Sequence, residues 1–179
     1  MISEKNGELS NALVGHENRV NFITATDGKQ IFSASNDCTV RSWDVESGFN
    51  IGVYKFSDPV SNIAISMTNN IMYTASWDKM IRSVDLEVGK VTNAFQGATE
   101  AIKVMLITDT RIFVGGCDPI IRSWDLVSGE CVQYQGHTGW VYCMKVYKNL
   151  LFSGGDDKTI RIWNVMVRDK LSLEWEADG

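Results

Sequence analysis

The chain has only two histidines and four cysteines in 179 residues, and that scarcity removes several classes of function. Cys38, Cys117, Cys131 and Cys143 are scattered, with no Cys-x-x-Cys pair among them. Such spacing argues against a zinc site and against a disulfide framework, and it leaves free thiols in a reducing compartment. No basic cluster is present and the formal net charge is -5, so nothing draws a phosphate backbone generally and nucleic acid is not expected as the primary partner. A glycine-rich phosphate loop of the Gly-x-x-x-x-Gly-Lys kind is missing as well. Residues 1–10 are polar, with Glu4, Lys5 and Glu8, and hold no apolar segment long enough for a signal peptide or a membrane span. The expected location is therefore the cytoplasm, with the nucleus also open, and no membrane contact, cofactor or metal is expected.

What is present is a repeat. Hydrophobic residues make up 44% of the chain, enough for a globular core. The segments TVRSWDVESG, MIRSVDLEVG, IIRSWDLVSG and TIRIWNVMVR begin at residues 39, 80, 120 and 159, a period of about forty residues. Before each lies an apolar pair, small residues and a turn, in IFSASND, MYTASWD, FVGGCDP and FSGGDDK; every turn carries an aspartate, namely Asp37, Asp78, Asp118 and Asp157. Further upstream, VNFITA, VSNIAIS, IKVMLIT and VYCMKV read as strands, and FNIGVYKF, KVTNAFQG and ECVQYQGH follow the first three copies. Each unit thus predicts four short strands and leaves no room for a helix.

With Gly15-His16 and Gly136-His137 opening units one and four, and Trp43-Asp44 and Trp124-Asp125 closing units one and three, the pattern resembles the WD-repeat β-propeller family over most of the chain. The resemblance implies an all-β fold of four four-stranded antiparallel blades, arranged radially, within a single domain spanning residues 1–179. The repeats fall at about 15–56, 57–96, 97–135 and 136–175, with residues 1–14 as an outer strand leading into the first. Propellers of this family usually have about seven blades, so four make an incomplete ring or one completed by association. Residues 1–14 resemble the outermost strand of a unit, and KLSLEW at 170–175 is a second candidate for that place. Three arrangements follow: a fragment of a longer propeller, a half-propeller that pairs with a copy of itself or a partner, or an open arc inside an assembly. All three leave apolar faces at the ends of the array, so an oligomer or complex is expected.

The family also implies a buried network of histidine, hydroxyl, turn aspartate and tryptophan. Here the full set is His16, Ser33, Asp37 and Trp43, and again His137, Ser153, Asp157 and Trp163. Hydrogen bonds to a charged acceptor contribute about 1.5–3 kcal/mol each. Unit two keeps Thr74 and Asp78 but has Ser57-Asp58-Pro59 and Val84 in place of Gly-His and tryptophan. Unit three keeps Asp118 and Trp124, with Gly97-Ala98 and Val114 at the other places. These two units are expected to rely more on apolar packing. Arg41, Arg82, Arg122 and Arg161 recur at one position of the third strand; they are expected to pair with carboxylates between blades, and a basic channel lining for an anionic partner is the other reading.

A Ser-His-Asp trio superficially suits hydrolysis, but one that recurs with a tryptophan at the repeat period reads as architecture. The chain is therefore expected to be a non-catalytic scaffold for a protein or peptide partner, with a structural subunit as the alternative and a hydrolase as a remote one. In the family, partners often bind the face bearing the turn aspartates, through the residue before each aspartate and the residue opening the first strand. Carried over, these are Asn36, Trp77, Cys117 and Asp156, with Arg19, Pro59, Ala101 and Trp140. Trp77, Trp140 and Arg19 are the expected anchors, because aromatic and arginine side chains carry most interface energy; the alternative is that either ring packs over a neighbouring turn.

Overall fold

The computed structural model describes residues 12–26 and 28–165. Among them are fifteen strands and no helix. Runs of β-branched and aromatic residues broken by Asp- and Gly-bearing turns favour strands of about five residues, and that is what forms. The first blade is β1 (Val20–Ala25), β2 (Gln30–Ser35), β3 (Thr39–Asp44) and β4 (Asn50–Lys55). The second is β5 (Val60–Ser66), β6 (Ile71–Ser76), β7 (Ile81–Asp85) and β8 (Lys90–Phe95). The third is β9 (Ile102–Ile107), β10 (Arg111–Gly116), β11 (Ile121–Asp125) and β12 (Cys131–Tyr134). The fourth is β13 (Val141–Tyr147), β14 (Leu150–Gly155) and β15 (Ile160–Asn164).

Each blade is a separate antiparallel meander with its strands in sequence order, so the fold is all-β with four radially repeated sheets. The fourth sheet has three strands among the described residues. Most of the outer strand expected at 1–14, and all of KLSLEW at 170–175, lies outside the described residues.

The first strands stack on one another, β1 on β5, β5 on β9 and β9 on β13, and the core fills the three gaps between blades. Between blades one and two lie Phe32, Val40, Val60 and Ile63; between two and three, Ile81, Phe95, Ile102 and Trp124; between three and four, Phe113, Ile121, Val141 and Leu151. Full burial of each such side chain stabilises the fold by about 1.5–3 kcal/mol.

Two turn devices repeat. After the third strand, Asp44, Asp85 and Asp125 accept the backbone N–H three residues on through Oδ1, at 2.7, 3.0 and 2.8 Å. Gly48, Gly89 and Gly129 follow with φ near +70°, a conformation glycine adopts without a Cβ clash. The first strands all carry a bulge at their second residue: Val20 pairs Ser35 and Phe22 pairs Ala34, which skips Asn21, and the same step skips Ser61, Lys103 and Tyr142. A bulge re-aims the skipped side chain, so four residues are turned out of the ladder at one level of the molecule.

Candidate functional site: the face of the turn aspartates

In blade one, His16 Nδ1 lies 2.7 Å from Asp37 Oδ2, His16 Nε2 lies 2.7 Å from Ser33 Oγ, and Trp43 Nε1 donates to Ser33 Oγ at 2.8 Å. Blade four repeats the set with His137, Asp157, Ser153 and Trp163, at 2.8 Å for each of the three contacts. The glycine before the histidine is needed for close approach: a Cβ on Gly136 would stand 2.8 Å from the Trp163 ring. Ser33 and Ser153 are 4% and 2% exposed, so neither hydroxyl is presented to solvent as a nucleophile would have to be.

Burial alone would raise the carboxyl pKa of Asp37, but hydrogen bonds from Thr39, His16 and the Glu17 backbone outweigh it and hold the group well below the usual carboxylate range. Asp157 is held low in the same way by Thr159, His137 and the Thr138 backbone, again against desolvation. In all four blades the turn aspartate accepts the N–H two residues on through Oδ1, from Thr39, Met80, Ile120 and Thr159, at 2.8–3.0 Å.

Blades two and three lack the histidine, and there the recurrent arginine takes its place. Arg82 Nη2 lies 2.7 Å from Asp78 Oδ2, and Arg122 Nη1 lies 2.7 Å from Asp118 Oδ2, where Thr99 also donates to the same oxygen. Asp118 is held low by the Thr99, Ile120 and Arg122 hydrogen bonds against the opposing effect of burial. One expectation is corrected here. The arginines of blades two and three pair with the turn aspartate of their own blade, four residues back, rather than with carboxylates between blades. The loss of histidine is met by an ion pair in addition to the apolar packing expected of these blades, where Val84 and Val114 are buried. Arg161 stands farther off, 3.7 Å from Asp157, because His137 already occupies that oxygen. Thr74, expected in the blade-two network, is buried with no hydrogen-bond partner for its hydroxyl among the described residues; Val84 supplies no indole N–H and no histidine reaches it. Trp124 Nε1 turns instead to the Gln96 carbonyl at 3.2 Å, since Val114 offers no hydroxyl.

One backbone bond recurs in every blade and sets the candidate contact residues side by side. Asn36 N–H donates to the Arg19 carbonyl, Trp77 to Pro59, Cys117 to Ala101 and Asp156 to Trp140, at 2.8–3.0 Å. Arg19, Trp77, Trp140 and Asp156 are exposed, whereas Asn36, Pro59, Ala101 and Cys117 are half-buried. Trp77 and Trp140 keep 38% and 44% of their surface open. Asn36 is tied to Asn21 at 2.7 Å, and Arg19 Nε donates to Asn21 at 3.1 Å.

The bulge residues complete this face, and Lys103, which sequence reasoning missed, links its tryptophans. Its Nζ lies 5.3 Å from the Trp77 ring centroid and 5.4 Å from that of Trp140, so one ammonium on blade three joins indoles from blades two and four. Tyr142 meets Trp140 edge-on at 6.3 Å between centroids. The signal available in the sequence was that the second residue of the first strand is Asn, Ser, Lys or Tyr in the four units, while the position before it is Val, Val, Ile and Val. Among the described residues no cluster of His, Cys, Asp and Glu suits a metal.

The geometry agrees with what the comparisons found. The model of the WD domain, G-beta repeat, matches residues 7–44, 50–85 and 129–164, more than half of the chain. The chain is 26% identical over 125 residues to the DENN domain and WD repeat-containing protein SCD1 of Arabidopsis thaliana, covering 69% of this chain and 10% of that one. It is 28% identical to the ribosome biogenesis protein WDR12 homolog of the same plant, over 63% of this chain and 33% of the relative. It is 27% identical to a U3 small nucleolar RNA-associated protein 15 homolog of Xenopus laevis, over 64% and 23%. The chain thus spans between a tenth and a third of these relatives. Among solved structures, the computationally designed Ika4 protein superposes with a TM-score of 0.79 at 20% identity, covering 89% of this chain and 99% of that one. The designed Ika8 protein gives 0.77 at 20% identity, over 86% and 48%. Repeat period, blade topology and family match agree, and the chain belongs to the WD-repeat family.

Proposed function

We propose that this protein is a non-catalytic interaction scaffold that receives a protein or peptide on the face of the turn aspartates. The observation that carries the reading is the recurrent backbone bond from the residue before each aspartate to the residue opening the first strand. It aligns eight side chains that the networks do not use, and it leaves Trp77 and Trp140 partly exposed on one surface. Large amphipathic rings pinned beside the strand ends by backbone hydrogen bonds are efficient anchors, because little conformational entropy is lost when they bind. The Ser-His-Asp trios are consumed by architecture, since each hydroxyl is buried and holds an indole N–H. An intracellular setting, cytoplasmic or nuclear, accords with four free thiols among the described residues.

The test is affinity purification from the native source, reconstitution with the captured partner, and hydrogen-exchange mapping of the complex. Protection around Trp77 and Trp140, with capture weakened in the folded Trp77→Ala/Trp140→Ala variant, supports the reading. Unfolding of that variant would make the two rings part of the core and sink it.

A second reading, in which the end faces of the array make the main contact, has its own observation. Ile160 is 80% exposed, whereas Val40, Ile81 and Ile121 at the same strand position are fully buried. At the other end Ile23 is 63% exposed where Ile63 is 1%. These positions are the ones that neighbouring blades cover inside the array. Further blades of a longer chain, a second copy or a partner protein would each cover them, and protection confined to Ile23 and Ile160 favours this reading.

A further inference from the structure

We propose that Lys103 and the two indoles beside it form a docking point for a carboxylate of an acidic peptide; the inference rests on the turn-aspartate face being the one that receives the partner. The bulge between Ile102 and Val104 turns Lys103 out of the β-ladder, as it does Asn21, Ser61 and Tyr142 in the other blades. Those three are used within the protein. Asn21 donates to Asn36 and to the Val60 carbonyl, Ser61 donates to the Ala75 carbonyl, and Tyr142 packs on Trp140. Lys103 differs, because no described residue forms a hydrogen bond or an ion pair with its ammonium, which lies over the rings of Trp77 and Trp140.

Cation–π attraction holds the ammonium in place without consuming its three N–H donors. The flanking rings displace water, so a charge-assisted hydrogen bond to an arriving carboxylate is stronger there than on an open surface. The exposed parts of Trp77 and Trp140 then suit the hydrocarbon of the acidic residue or of its neighbour. A cationic ligand would meet the positive charge already seated at both rings. Among the eight aligned positions and Lys103, Arg19 and Lys103 are the cations and Asp156 is the anion, with Glu17, Asp58 and Glu100 in the adjoining loops, so the attraction for a carboxylate comes from the Lys103 ammonium itself.

The test is fluorescence anisotropy with neutral-dye-labelled decapeptides: alternating Glu and Leu with an amidated end, and its Gln and Lys counterparts with amidated and free C-termini. The full chain is expected to bind the Glu peptide. Binding of the free-acid Gln peptide without binding of the amidated Glu peptide would assign the site to a chain terminus and overturn the proposal. Lys103→Met is expected to weaken carboxylate binding about tenfold, Lys103→Arg to retain most of it, and Asp156→Asn to strengthen it. Failure of the folded chain to bind any carboxylate peptide would overturn the proposal, as would preference for the Lys peptide that rises in Lys103→Met. If Lys103→Met has no effect while Trp77→Ala/Trp140→Ala abolishes binding, the carboxylate inference falls and the face reading survives. If neither variant changes binding, both fall.

Discussion

Arg122 Nη1 meets Asp118 Oδ2 at 2.7 Å in blade three, the place where His137 Nδ1 meets Asp157 Oδ2 at 2.8 Å in blade four. The turn aspartate therefore keeps a charged or imidazole partner whether or not the histidine is there, and where the loop before the blade carries no histidine the third strand supplies an arginine. The Arg122 side chain is 4% exposed and that of Arg82 in the parallel pair is 19%. Removing one partner of a buried pair leaves the other charge uncompensated, at a cost of about 3–5 kcal/mol. We expect Arg122→Met to lower the urea midpoint clearly more than Arg82→Met, and the Arg122→Met/Asp118→Asn double variant to recover part of the loss. Equal losses at the two sites would contradict this account.

The two complete networks make the tryptophan N–H separable from the tryptophan ring. Trp163→Phe keeps most of the packing against Tyr134 but removes the donor to Ser153, and a typical net hydrogen bond is worth about 1 kcal/mol. Ser153→Ala is expected to cost at least as much, because it leaves both the indole N–H and His137 Nε2 without their partner. Equilibrium unfolding of the two variants checks the order.

Acid should act through the turn aspartates. The folded-state carboxyls of Asp37 and Asp157 lie below their unfolded values, near 3.9, so the folded protein binds fewer protons than the unfolded chain in this range. Their contribution is then fully present above about pH 5 and is lost as the pH falls through 4 and below. We expect the melting temperature to fall between about pH 5 and 3, and the Asp37→Asn variant, already less stable at neutral pH, to show a shallower fall. A slope unchanged by that substitution would place the acid sensitivity elsewhere.

One strand position supplies an internal control on burial. Ile121 is fully buried and Ile160 is 80% exposed at equivalent places in adjacent blades. In the chain on its own, Ile121→Ala should cost about 2–5 kcal/mol, and Ile160→Ala should stay within about 0.5 kcal/mol. A large loss at Ile160 would mean that its face is already covered in solution.

The sequence announced the blades because their determinants are local. A strand period of two, aspartate-bearing turns and a forty-residue repeat can each be read without knowing what lies nearby in space. The places of the residues proposed for contact were legible for the same reason, since Arg19 and Asn36 and their equivalents hold fixed places in the repeat. What was not legible depended on contacts across blades or on competition for one oxygen. Lys103 gains its meaning only from rings brought in by blades two and four, and its own position carries a different residue type in each unit. The arginines looked like inter-blade ion pairs because alternation shows which face they occupy but not that an aspartate four residues back curls over the same face. Thr74 looked like a network member because its residue type fits, while the missing partners, an indole and an imidazole, lie at positions far along the chain.

The most direct test of the central claim uses the tryptophans as reporters on the complex with the captured partner. On addition of that partner, the indole N–H signals of Trp77 and Trp140 should shift, while those of Trp43 and Trp163, locked to Ser33 and Ser153, should hold still. Shifts at Trp43 and Trp163 with Trp77 and Trp140 unmoved would contradict the account and assign binding elsewhere.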